Sequence, residues 1–408
     1  MKLNVTTKIF IGLVLGVIVG LFFTSAPDAA KTYIKPFGDL FLNLIKMIIV
    51  PLVLSSLVVG AASTGDVKKL GRIGVKTLTY YLLTTAFAVT LGLILGNILN
   101  PGLGMNLPAG AKPDVSKVPS IVETLLNIVP SNPIKAMVDV NMLQIIVFAL
   151  FLGIAITLIG DKGKPVLNFF ESLAEVSYKI VALIMSYAPI GVFGLIVPVV
   201  AANGPAVLLP LLKVIITVYI GVALHAVLVY SSLVYIFAKM NPLKFFKGAS
   251  PAMVVAFTTS SSSGTLPVTM ESVEKNLGVP KTISSFVLPL GATINMDGTA
   301  LYQGVCALFI AQVFGIHLTL AQQMVIILTA TLASIGTAGV PGAGLIMLTM
   351  VLQSVGLPLE GIALIAGIDR VLDMARTCIN VTGDMAGAVV VAASEGELQK
   401  PGVKTVSA

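Results

Sequence analysis

The chain has 408 residues, 56% of them hydrophobic and only 11% charged. A soluble domain of ordinary composition carries about 25% charged residues, so one water-soluble core is excluded. The formal net charge of +7 does not mark a nucleic-acid partner, because the lysines and arginines sit in short loops between apolar runs, the pattern that orients a protein in a membrane.

The opening stretch, MKLNVTTKIF, reads as the start of a first spanning helix and not as a cleaved leader, since it runs on without a small-residue cleavage site. Apolar segments follow at about 8–24, 38–62, 76–100, 137–160, 168–200 and 206–238. Each is long enough to cross a hydrocarbon core as a helix, which takes about 20 residues. Basic residues collect at Lys68, Lys69, Arg72 and Lys76, at Lys162 and Lys164 beside Asp161, and at Lys239, Lys244 and Lys247. Placing these loops inside puts both termini in the cytoplasm. The Pro-, Gly-, Ser- and Asn-rich stretch 101–135 is expected to be an external loop. Cys306 and Cys378 lie in apolar segments and read as small apolar thiols in helices. His225 and His317 have no Cys or His partner nearby in sequence, so metal catalysis has no basis.

Beyond residue 240 polar clusters interrupt the apolar runs: SSSSG at 260–264, NMDGT at 295–299, SIGTAGVPGAG at 334–344 and DRVLDMARTCINVTGD at 369–384. Broken backbone at membrane depth is tolerated only against protein or a water-filled cavity, so this half is expected to hold a site. A Ser/Gly break followed by an Asn/Asp-bearing helix occurs twice, the pattern of inverted repeats around a midplane site. Backbone N–H groups at a broken helix end attract anions. Gly339, Val340, Pro341, Gly342 and Gly344 could form a gate, or a plain glycine-rich loop.

Asp297, Asp369, Arg370, Asp373, Arg376 and Asp384 stand in strongly apolar sequence. Each costs several kcal/mol in mid-membrane unless paired or hydrated. They could be ion pairs that fix helix packing, and the serines could glue helices together. Spacing sharpens the functional reading: Asp373, Arg376, Asn380 and Asp384 follow one another at 3, 4 and 4 and share one helix face. Asp373 can accept from an ammonium, Arg376 can grip a carboxylate with a bidentate fork, and Asp384 can hold a hard cation through oxygen. Asn295, Asp297 and Thr299 add oxygens from a second helix, where Gly298 is expected to loosen the backbone.

Together, SSSGTLP, NMDGTALYQG, SIGTAGVPGAG and D-M-A-R-T-x-x-N-V-T-G-D, with the earlier IKMIIVPLV, resemble the glutamate transporter family of sodium:dicarboxylate symporters over nearly the whole chain. The resemblance implies an all-α polytopic protein of the cell membrane, with eight transmembrane helices and two re-entrant helical hairpins in inverted repeats. It implies a homotrimer whose protomers each work as an elevator. Residues 1–75 (helices 1–2) and 137–205 (helices 4–5) would be scaffold. Residues 76–136 (helix 3 and the external loop) and 206–408 (helix 6, first hairpin, helix 7, second hairpin, helix 8 and tail) would carry the transport domain.

Carried over by resemblance, Arg376 and Thr299 would meet the side-chain carboxylate of an acidic amino acid, and Asp373 and Thr377 its amine. Asn380 with Ser262, Val340 and Gly344 would hold its main carboxylate. One sodium would lie near Gly291, Asn295, Asn380 and Asp384. A second would lie on carbonyls of Thr293, Ser334, Ile335 and Thr337. A third would be held by Tyr81, Thr84, Thr85, Asn295 and Asp297.

The chain departs from the family at three places. Ser260 and Met374 stand where many relatives carry one arginine or the other, which puts counter-ion behaviour in doubt. Gln303 stands where proton-moving relatives have an acid, so sodium coupling without obligatory proton coupling is expected. A proton-coupled or C4-dicarboxylate symporter of the same fold is the nearest alternative. An anion channel is a rival from another class. An intramembrane enzyme built on Ser260–Ser263 lacks a histidine nearby in sequence, and the expectation is that the protein is no enzyme.

Overall fold

In a computed structural model the described residues, 5–62, 69–105, 129–204, 208–335, 337, 339 and 342–399, are almost wholly helical. Residues 106–128 of the expected external loop, Lys68, and Val340 and Pro341 of the expected gate lie outside them. The first half forms α1 (Val5–Phe22), α2 (Pro27–Tyr33), α3 (Lys35–Ala62), α4 (Lys69–Leu99), α5 (Pro133–Val138), α6 (Met142–Leu158) and α7 (Lys164–Asn203). Then come α8 (Leu208–His225), a π-helical turn (Ala226–Tyr230) and α9 (Ser231–Ala238). The rest is α10 (Pro242–Thr259), α11 (Ser262–Glu271), α12 (Lys281–Ile294), α13 (Asp297–Val313), α14 (Leu320–Ser334), α15 (Ala343–Ser354) and α16 (Ile362–Ser394).

Among the described residues, Lys35–Val59, Arg72–Leu99, Leu208–Ala238 and Leu359–Ser394 are long and apolar enough to cross a membrane unbroken. A fifth span, Gly160–Ile184 with Ser186–Ala202, is bent by 50°. The bend has a local cause. Pro189 lies inside α7, and a helical proline removes the hydrogen bond to the carbonyl four residues back and clashes with it. That carbonyl belongs to Met185, at the bend. The expected segment 137–160 is also divided. Val140 takes φ 53°, and the Asn141 side chain accepts from Gln144 N, so α6 begins afresh with 17 residues, about 26 Å of helix.

Side chains decide the layering. α7 packs against α1 and α3, and α3 also against α6. α4 lies against α13 and α14. α16 is enclosed by α8, α9, α10, α12 and α13, with α11, α15 and α4 also touching it. α16 is buried along most of its length, and ionisable side chains at membrane depth face the bundle interior. The polar face carried by α16 is therefore turned into protein and not into lipid.

Candidate functional site

A break between α12 and α13, the tips of the two hairpins α10–α11 and α14–α15, and one unbroken helix build the site. α12 ends at Ile294, Asn295 turns out of the helix at ψ 97°, and α13 starts at Asp297. The loosening expected at Gly298 therefore falls three residues earlier, at Asn295, and Gly298 lies in the first turn of α13. Its hydrogen-only side chain serves a close approach: a Cβ there would meet Arg376 O at 2.5 Å and Arg376 Cα at 2.7 Å. That lack of bulk lets α13 dock on α16, with Gly298 N donating to Asn380 Oδ1 at 2.8 Å.

α16 runs unbroken through Asp369, Asp373, Arg376, Asn380 and Asp384, and all five are buried. Arg376 Nη1 donates to Asp369 Oδ1 at 2.7 Å, and Nη2 lies 2.9 Å from Asp373 Oδ1. The Tyr302 ring supports the guanidinium at 4.1 Å, a cation–π contact. Nη2 is paired by charge but out of hydrogen-bond geometry, and both Nη2 and Nε are buried without a hydrogen-bond acceptor. A buried guanidinium with unused N–H groups is a costly arrangement and a ready receptor for a carboxylate. The tip of the second hairpin covers it. Gly342 N donates to Asp373 Oδ2 at 3.2 Å, and a Cβ on Gly344 would lie 2.7 Å from the guanidinium carbon.

The other residues expected around a substrate fall nearby. Thr377 Oγ1 reaches Asp373 Oδ1 at 3.4 Å. Asn380 Nδ2 faces only Met296 Sδ at 3.2 Å and Thr299 Oγ1 at 3.5 Å, weak partners that leave an amide donor open to an anion. Ser262 is buried at the start of α11, whose tip meets the second tip: Ser261 Oγ and Ser263 N both donate to Gly339 O, at 2.9 and 3.2 Å. Val340 is outside the described residues.

The expected cation ligands divide. Asn295 Nδ2 donates to Asn380 O at 3.0 Å and to Asp384 Oδ1 at 2.9 Å, while its Oδ1 is buried with no donor. A bare amide oxygen beside a carboxylate and a main-chain carbonyl suits a hard cation. Gly291 O accepts from Asn295 N at 2.8 Å in the same corner. Asp297 Oδ1 accepts from Thr85 Oγ1 at 2.6 Å and Thr84 Oγ1 at 3.2 Å. Tyr81 OH turns to Val287 O at 3.1 Å. The remaining set was expected for its carbonyls: Ser334 O accepts from Thr337 N at 3.2 Å, while the hydroxyls of Thr293, Ser334 and Thr337 turn back to Leu290 O, Thr331 O and Ala333 O.

Sequence reasoning missed His225, Tyr230 and Tyr302. Tyr230 OH and His225 Nε2 lie 2.7 and 3.1 Å from Asp297 Oδ2. An intramembrane histidine is itself a signal, but its partner is 72 residues away. Among the described residues no group of three or more His, Cys, Asp and Glu could hold a metal ion by side chains alone.

The family model for the sodium:dicarboxylate symporter family matches residues 5–394. The chain is 43% identical to the proton/sodium-glutamate symport protein of Geobacillus stearothermophilus, over 97% of this chain and 96% of that one. It is 38% identical to the proton/glutamate-aspartate symporter of Escherichia coli strain K12, over 98% and 94%. It is 34% identical to excitatory amino acid transporter 3 of Mus musculus, over 99% and 87%. With full-length matches of this kind around a buried charge cluster between a helix break and two hairpin tips, the chain belongs to the sodium:dicarboxylate symporter family.

Proposed function

We propose that this protein is a sodium-driven symporter that takes up an acidic amino acid, aspartate or glutamate, across the cell membrane. The observation that carries the reading is Arg376: fully buried, fixed by Asp369 and Asp373, with Nε and Nη2 lacking acceptors. A guest with two carboxylates and one ammonium satisfies this set. Its side-chain carboxylate takes Arg376 and Thr299, its ammonium takes Asp373 and Thr377, and its main carboxylate takes Asn380 and the N–H groups at Ser262, Val340 and Gly344. A dicarboxylate without an amine would leave Asp373 facing an anion. The names of the relatives, which pair glutamate or aspartate with protons or sodium, support the same class.

Coupling follows from shared atoms. Asn380 offers its amide to the guest and its main-chain oxygen to the corner formed by Gly291, Asn295 and Asp384. Sodium in that corner fixes Asn380 in its binding orientation, and the guest fixes the corner for sodium, so each raises the affinity for the other. Asp297 with Tyr81, Thr84, Thr85 and Asn295 takes another sodium, and the carbonyls of Thr293, Ser334, Ile335 and Thr337 a third once the second tip closes. Gln303 is buried and has no proton to exchange at neutral pH, which favours sodium over obligatory proton coupling.

The packing supports a division of labour. α1, α2, α3, α5, α6 and α7 form a scaffold, and the remaining helices form a transport domain with re-entrant hairpins α10–α11 and α14–α15. Helices α12–α13 act as one broken span, which brings the total to eight spans with both termini cytoplasmic. The scaffold is the trimer contact, and the transport domain moves as an elevator. The test is reconstitution in liposomes under an imposed inward sodium gradient, with labelled aspartate, glutamate and serine measured in parallel. Concentrative uptake of an acidic substrate, absent without the gradient, is expected. Uptake driven by an outward-acidic pH gradient alone, or conductance without accumulation, would replace this reading with a proton symporter or a channel.

A further inference from the structure

We infer that His225 and Tyr230 are positioning residues for Asp297, holding one carboxylate oxygen so that the other is presented to a cation. The inference rests on the proposed sodium-coupled function and names a part of it that the two side chains of α8 and its π turn would perform.

The two oxygens of Asp297 have different surroundings. Oδ1 accepts from the hydroxyls of Thr84 and Thr85 at 3.2 and 2.6 Å. These donors can rotate away. Thr84 Oγ1 is also 3.2 Å from Tyr81 O, so it can turn its proton there and offer a lone pair to an ion. Oδ2 accepts from Tyr230 OH at 2.7 Å and from His225 Nε2 at 3.1 Å. The Tyr230 hydroxyl has one proton and a second acceptor, Ile379 O at 3.3 Å. The imidazole has no such choice. Facing a carboxylate oxygen, Nε2 carries the hydrogen, and Nδ1 is buried without a partner. His225 is thus the constant donor on Oδ2.

The backbone is built to bring this pair together. In a regular α-helix, residues five apart point about 140° from each other. Between His225 and Tyr230 the chain takes a π turn, Ala226–Tyr230, whose i→i+5 bonding returns the second residue to the face of the first. The rings meet edge to face at 4.9 Å and 85°, and both are buried. Without the π turn only one of them could reach Asp297.

A carboxylate with free rotation would leave a bound cation one ligand short for part of the time. Fixing Oδ2 removes that rotation, so the effect belongs to sodium affinity and not to substrate contact.

The experiment uses the full-length protein in liposomes and measures half-saturation for sodium at fixed aspartate, and aspartate affinity at saturating sodium. His225→Leu keeps the bulk and loses the donor. His225→Gln keeps an N–H donor at the position of Nε2. Tyr230→Phe removes the other donor with the smallest change of shape. For His225→Leu the sodium half-saturation is expected to rise about tenfold, as for loss of one buried hydrogen bond to a charged group, with aspartate affinity at saturating sodium within about twofold of the wild type. Tyr230→Phe shifts it in the same direction by less, and His225→Gln restores most of it. Equal sodium dependence in all four proteins overturns the inference. So does an equal defect in the Leu and Gln variants, which means packing and not donation. Should His225→Leu not fold, an unshifted Tyr230→Phe overturns it. Wild-type protein that shows no sodium-driven uptake at all defeats the proposed function instead, a different result.

Discussion

In Leu208–Ala238 28% of the most apolar stretch is buried, and in Leu359–Ser394 83% is, although both are long enough to cross a bilayer. The contrast extends to the chain on either side. Up to Val254 every helical layer exposes large apolar side chains, such as Leu83, Phe151, Leu183, Val227 and Val254. Beyond it, among the described residues, only Leu320 and Met324 do so. The buried charges run the other way: Asp297, Asp369, Asp373, Arg376 and Asp384 all belong to the later part. The earlier helices solve the problem of meeting lipid. The later ones use that shelter to keep charges, broken backbone and amide groups out of both lipid and bulk water.

That difference breaks most severely at Arg376. Arg376→Ala leaves Asp369 buried without its cation and Asp373 with only Arg370, 3.8 Å from its Oδ2. Breaking a buried pair costs about 3–5 kcal/mol. The guest also loses its buried partner for a carboxylate, a cost of about 2–5 kcal/mol in binding, so aspartate affinity is expected to fall more than about 30-fold, while sodium still binds at Asp384 and Asn295. Titration of the variant with aspartate and, separately, with sodium checks both halves, and unchanged aspartate affinity removes the substrate assignment.

Packing gives the next effect. Leu364 is fully buried on α16 and Val254 is 62% exposed on α10. Leu364→Ala is expected to cost about 2–5 kcal/mol and Val254→Ala under about 0.5 kcal/mol. Thermal unfolding in one detergent compares them, and similar losses would mean that the two regions do not differ as described. Gly344→Ala tests the cover over the site. Its methyl would press on the guanidinium, whose position is fixed by Asp369 and Asp373, so aspartate affinity is expected to drop about tenfold. An unaffected affinity shows that this tip does not rest on Arg376 when the guest is bound.

The smallest effect lies where the two regions meet the aqueous phase. Lys76 donates to Glu395 at 2.5 Å and Arg72 also pairs with it, tying the start of α4 to the end of α16. Hydrogen bonds from Lys76 and then Arg72 hold the Glu395 carboxyl below the ordinary glutamate range. A carboxyl lowered in the folded state binds its proton more weakly there than in the unfolded chain. Its stabilisation is therefore complete above the ordinary range and is lost as the pH falls through the lowered folded value. Glu395→Gln is expected to lower the midpoint by roughly 2 °C at neutral pH. At a pH below that window it should match the wild type. A deficit that persists in acid would mean that shape, not charge, is lost.

Much of this was legible in the residues because it depends on local spacing. The 3, 4, 4 ladder on α16 places Asp373 to Asp384 on one face whatever surrounds it, and polar clusters in apolar sequence mark the breaks. What could not be read depends on contacts between distant helices or on departures from α geometry. Asp369 is not among these: it lies seven residues before Arg376 on the same helix, and a further step of four carries the ladder to it. The break near Gly298 moved to Asn295 because close packing on α16, not looseness, is what that glycine serves. His225 and Tyr230 share a face only through a π turn that no α-periodic pattern contains. The bend of α7 was implicit in Pro189, which an apolar run carries without any loss of hydropathy.

The most direct test of the account is the affinity of the purified protein for aspartate, measured by calorimetry across a range of sodium concentrations at constant ionic strength. If Asn380 and Asn295 join the guest site to the cation corner, log Kd falls steeply as log sodium rises, with a slope magnitude above one, and potassium does not substitute. A flat line, with aspartate binding equally well in potassium, would contradict it.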